Sequence, residues 1–108
     1  MATPFSVDIA QANGQTVLRF MGELDVASVE HALAQSRRAL ANGYSGPLVV
    51  DVSELTFCDS SGIRTLLKIE TEAAQQGRDM LLRRPGLLLT RVIDTLGLDE
   101  HFHLDAAE

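Results

Sequence analysis

The dipeptide Asn13-Gly14 narrows the folds open to this chain more than any other feature. It sits in ANGQ between two stretches of β character, and both residues tolerate the positive φ that a two-residue hairpin turn demands. Before it, FSVDIAQ alternates, with Phe5, Val7 and Ile9 on one side and Ser6, Asp8 and Ala10 on the other. That is the pattern of a half-buried strand. TVLRFMG follows it. The two stretches are expected to pair antiparallel, so the chain opens with a β-hairpin.

Beyond the hairpin the period changes. From about Ala27 to Asn42, Val29, Ala32, Leu33, Ser36 and Leu40 recur at helical spacing, while Glu30, Gln35, Arg37 and Arg38 fall mostly off that stripe. NGYSGP breaks the helix, and LVVDV is a short, nearly continuous β-branched run that suits a strand covered on both faces. SELTFCD reads as a connection to a second helix, from about Ser61 to Gln76. Its inner face is expected to carry Ile63, Leu66, Leu67, Ala73 and Ala74, and its wet face Arg64, Lys68 and Glu72. Gly77 suits the helix stop. DMLLR reads as the next strand, GLLLTRVIDTLG as a third helix, HFHL as a last short strand and DAAE as an exposed tail.

The order β-β-α-β-α-β-α-β places the chain in the α/β class. We expect a mixed sheet of about four to five strands with about three helices packed on it through crossover connections. There is no internal repeat, low-complexity segment or linker, so residues 1–108 are expected to form a single domain with its core at about 5–104.

Charge then excludes several function classes. Fifteen acids against nine bases give a net charge of −6, and the densest basic pairs are only Arg37–Arg38 and Arg83–Arg84. A duplex nucleic-acid binder draws most of its affinity from neutralising phosphates, and an anionic membrane surface attracts basic segments. Neither suits this chain. No apolar run approaches the ~20 residues that span a bilayer, and the N-terminus MATPFSVDIA has no signal-peptide character. The one cysteine, Cys58, cannot form an internal disulfide. A soluble cytoplasmic protein with no membrane insertion and no direct nucleic-acid binding is the expectation.

The candidate site lies in FCDSSGIRTLL, residues 57 to 67. Asp59, Ser60 and Ser61 are all helix N-cap types, and the plain reading is that one of them caps the second helix. A second reading rests on two points. A short polar run with Gly62 belongs at the surface, because three polar side chains are hard to satisfy inside a core. A phosphate at a helix N-terminus meets free amides and the positive end of the helix dipole. A serine here can accept a phosphoryl group without unfolding the domain.

Other chemistries have less to stand on. A hydrolase elbow needs G-x-S-x-G, and no glycine stands two places before either serine. His31, His101 and His103 are tied to no nucleophile, so no catalytic residue is expected. HFH is half of a metal site with no second His/Cys pair, so no metal is expected either. Cys58 reads as a small, partly buried apolar residue, since the neighbouring carboxylate opposes a reactive thiolate. GELD, residues 22 to 25, reads alone as the exit of a strand. Glycine-rich phosphate loops are absent, and no cofactor is expected.

Taken in order, GELDVASV after a hairpin, LVVDVSELTFCDSSGIRTLL and TRVIDTLGLDEHF resemble the STAS domain of bacterial anti-sigma factor antagonists, over about Val7 to Leu104. The resemblance implies a single STAS-like domain whose activity is binding. In that family the unphosphorylated antagonist captures an anti-sigma factor that is also a GHKL-type serine kinase, and the sigma factor is released. The kinase then phosphorylates the serine directly after the aspartate of D-S-S/T-G, here Ser60, and a PP2C-type phosphatase reverses the step. Asp59, Ser61 and Gly62 match the rest of that motif, and Asp25 matches the acid of the G-E-L-D segment in the binding surface. Cys58 departs from the apolar residue often found in its place. Relatives also serve as stressosome components, as phospholipid-transport ABC subunits and as cytoplasmic domains of transporters.

Overall fold

The structure, a computed structural model, describes residues 4–41, 45–98 and 102–105. Strands β1 (Ser6–Ala12) and β2 (Gln15–Leu24) form the expected hairpin, with Asn13 at φ 53° and Gly14 at φ 75° in its turn. A 3-10 turn (Val26–Ser28) leads into α1 (Val29–Leu40). There follow β3 (Leu48–Cys58), α2 (Ser60–Gln75), β4 (Met80–Arg83), α3 (Gly86–Thr95) and β5 (His103–Asp105). The order read from the sequence holds. The tail 106–108 and His101 lie outside the described residues.

The sheet runs β1-β2-β3-β4-β5, antiparallel only between β1 and β2. Spatial order follows chain order, so crossovers of one hand carry all three helices to the same face. There lies the core. Leu18, Phe20, Leu24, Leu48, Val50, Val52, Met80 and Leu82 from the strands meet Ala32, Leu33, Ala39 and Leu40 of α1, Ile63, Leu66, Ile69 and Ala73 of α2, and Leu89 and Ile93 of α3. LVVDV is buried throughout, as its β-branched run requires, and Val49 points away from that core, in register with Val17 and Leu81.

The opposite face is ordered by charge. Asp8, Arg19, Asp51 and Arg83 occupy successive register positions across β1 to β4, an alternation of sign that favours cross-strand neighbours. Arg19 lies 3.9 Å from Asp8, and Asp51 accepts hydrogen bonds from the backbone and side chain of Ser53.

Two expectations are corrected. SELTFCD is strand rather than connection. β3 continues to Cys58 because the long β2 offers Met21–Leu24 as a pairing edge, and β3 takes up extra residues in bulges to follow it. That irregular, half-exposed run shows no clean alternation in sequence. On α2, Ala74 is exposed and Ile69 is fully buried, since the helical stripe drifts round by one position. No described helix is long and apolar enough to cross a membrane.

Candidate functional site

Parallel strands put their C-terminal ends at one edge of the sheet, and those of β2, β3 and β4 here lead into helical elements. Leu24 and Cys58 are register partners, so the next residues, Asp25 and Asp59, stand side by side beyond β2 and β3. Both are N-caps with extended backbone. Asp25 accepts from the Ala27 N–H at 3.0 Å, and Ser28 Oγ accepts from the Asp25 N–H at 2.9 Å, a capping box that closes the 3-10 turn. Asp59 Oδ1 accepts from the Gly62 N–H at 3.1 Å and so caps α2. The Asp59 N–H in turn donates to the Leu24 carbonyl at 3.4 Å, which ties the two caps together.

With Asp59 as cap, Ser60 becomes the first residue of α2 and is exposed, while Ser61 is half-buried. The sequence left the cap open among three residues, and the structure gives it to the aspartate. Ser60 is therefore spared that duty and stands exposed at the helix N-terminus, directly after Asp59. Gly62 is buried for want of space. A Cβ there would lie 2.6 Å from Cys58 Sγ and 2.7 Å from the Leu24 carbonyl oxygen, closer than real Cβ contacts. The first turn of α2 thus rests directly on β2 and β3, and the glycine fixes where Ser60 stands.

Cys58 matches its plain reading. Burial, helped by the Asp59 carboxylate, pushes its thiol up to about 12, so it stays protonated near neutral pH. No group of three or more potential metal ligands comes together among the described residues. His31 lies on α1 with its ring 5.8 Å from that of Phe5 in an edge arrangement, part of a small concavity that also includes Glu23, Asp25 and Ser28. His101 and the side chain of His103 lie outside the described residues.

Large apolar side chains gather at the same edge. Val26 is 76% exposed, Phe57 50%, Leu87 68% and Leu88 78%. Helical periodicity assigns leucines to a buried stripe and could not flag them. The nearest signal was the unbroken GLLL, one more leucine than a single buried stripe holds. Exposed apolar groups around a polar centre mark a surface for protein contact more than a site of turnover.

Comparison with known proteins gives the fold its relatives. The family model described as "Mlab, STAS domain" matches residues 7–105. An anti-sigma factor antagonist from Mycobacterium paratuberculosis superposes with a TM-score of 0.80 at 22% identity, covering 99% of this chain and 92% of that one. The anti-sigma factor antagonist SpoIIAA in its unphosphorylated form gives 0.72 at 23% identity over 97% and 90% of the two chains. The Bacillus cell-fate determinant SpoIIAA in its phosphorylated form gives 0.69 at 24% over 95% and 92%. These likenesses establish the fold.

Proposed function

The chain belongs to the STAS-domain family, and from that premise we propose that it is an anti-sigma factor antagonist switched by phosphorylation of Ser60. Unphosphorylated, it binds an anti-sigma factor carrying a GHKL-type serine kinase domain through Asp25, Asp59, Ser60, Ser61 and Gly62, and the sigma factor is released. The kinase modifies Ser60, and a PP2C-type phosphatase restores the binding form. The protein acts in the cytoplasm as one STAS domain over residues 1–108, with its core at about 5–104, and its activity is binding without turnover.

The observation that carries this reading is the position of Ser60. It is exposed at the first residue of α2, with Asp59 holding the cap and Asp25 beside it across the strand pair. A phosphate there adds about −1.5 to −2 charge next to two carboxylates. Helix-terminal amides steady it in water, so the fold survives. In a closed interface the same dianion loses its water without guaranteed cationic compensation, so partner binding weakens.

The test is incubation with candidate GHKL kinases and ATP, followed by intact mass and peptide mapping. One phosphate on Ser60, lost in Ser60→Ala, is expected, together with at least about tenfold weaker kinase binding by Ser60→Asp. Wild-type binding by Ser60→Asp would overturn the switch. If every candidate left Ser60 unmodified, a structural role in a phospholipid-transport ABC system or a stressosome-type scaffold would take its place.

A further inference from the structure

We propose that the groove between the outer half of β3 and helix α3 receives an amphipathic helix of a partner protein whose apolar stripe is flanked by acidic residues. The groove reaches Phe57 and Cys58, at the same edge as Ser60, but its character comes from its own lining and not from modification of Ser60. β4 pairs with β3 only from Leu48 to Asp51, and β3 continues alone on that side to Cys58. Where β4 has ended, a groove of about 580 Å³ opens, floored by Val52, Leu55 and Phe57 and walled by Leu88 and Val92. Within α3, Leu89 and Ile93 enter the core, while Leu88, Val92 and the C-cap residue Leu96 form a second, exposed stripe at four-residue spacing. That stripe is about 12 Å long, two turns of an i, i+4 ridge, the form that packs against another helix.

Two features choose a helix over an added strand. Strand addition needs a regular row of free backbone groups, and β3 is bulged through this run. The Ser53 N–H is also taken by the Asp51 carboxylate at 2.9 Å. What the groove offers is apolar volume beside an apolar ridge.

Charge fixes the flanks of the occupant. In a chain of net charge −6, the charged residues lining the groove, among the described residues, are Arg84 and Arg91. Helix α3 opens beside them with Pro85 at its N-cap and no side-chain cap, so its first amides add to the positive character. Arg84, at φ 53° and exposed, is among the residues that line the groove. A second copy of the chain fits poorly, because a twofold contact would set arginine against arginine with no acid among the described lining residues.

The test uses a fluorescent peptide of about eighteen residues, long enough to hold a helix, with leucines at i, i+3, i+4 and i+7 and glutamates on both flanks. Fluorescence anisotropy measures binding, and amide shifts of the isotope-labelled protein locate it. The glutamate peptide is expected to bind and to shift amides within Val52–Cys58 and Leu87–Leu96. Its lysine counterpart and a scrambled leucine order should fail. R84E/R91E, both at exposed or groove-mouth positions, should weaken binding at least about tenfold, and Leu88→Asp should do so independently. Circular dichroism checks that both variants fold. Equal binding of all peptides, binding of none, shifts elsewhere, or self-association that protects the same amides would each overturn the proposal.

Discussion

A methyl group on Gly62 has nowhere to go. It would meet a sulfur on one side and a backbone carbonyl on the other, and the carbonyl belongs to a strand that cannot retreat. Gly62→Ala is therefore expected to cost about 1–3 kcal/mol, the usual price of overpacking, and chemical denaturation reads it directly. The same substitution should displace Ser60 outward, so phosphorylation slows even where the protein stays folded. At this scale the sequence was informative about type and silent about space. Asp59, Ser60 and Ser61 announced a helix start, but three adjacent cap-type residues look alike until the Asp59 to Gly62 hydrogen bond selects one. The requirement for glycine at 62 was hidden, because it comes from Leu24, far away in the chain.

Helices α1 and α2 share one polar clasp across their outer surface. Arg37 meets Glu72 with two hydrogen bonds, at 3.0 and 2.8 Å, in the fork geometry that suits guanidinium and carboxylate. The hydrogen bonds from Arg37 hold the Glu72 carboxyl below its ordinary range. A carboxylate with a depressed folded-state value contributes stability above its unfolded value of about 4.3 and loses it as pH falls through the folded one. Arg37→Ala should therefore lower the melting temperature slightly at pH 7, and the difference from wild type should shrink as the pH falls below the ordinary carboxylate range. The pair is partly exposed, so added salt should shrink the effect at neutral pH. The helices themselves were legible from their stripes, whereas this clasp was not, since Glu72 read only as part of a wet face. β3 was the least legible element. Its bulged second half follows β2, not its own alternation, and an edge of that kind leaves no period to find.

The molecule has a presenting edge and a locked one. At the presenting edge the caps, Ser60 and the exposed apolar groups stand beyond the strand ends. At the other, Arg78 is buried, donating from Nε to the Gly46 carbonyl at 2.7 Å and from Nη2 to Thr16 Oγ1 at 2.8 Å. Thr16 Oγ1 donates to Gln11, so β1, β2 and the segments entering β3 and β4 are tied at one point. Burial lowers the guanidinium's affinity for its proton without discharging it. Arg78→Ala leaves the Gly46 and Thr16 oxygens without this donor and should cost about 2–4 kcal/mol by urea denaturation, with partner binding at the far edge unchanged. Nothing local in GRDML marks that arginine as a keystone, because its partners lie 32 and 62 residues away. The protonated thiol at Cys58 has a practical use on this two-ended body. A cysteine introduced at exposed Ala12, on the locked edge, would ionise as an ordinary thiol and take a maleimide ahead of the native one. The dye or tether would then sit about 30 Å, the length of β2, from the presenting edge. Such a molecule could be anchored to a sensor chip with its docking side facing the flow, and its only natural cysteine would not need to be removed first.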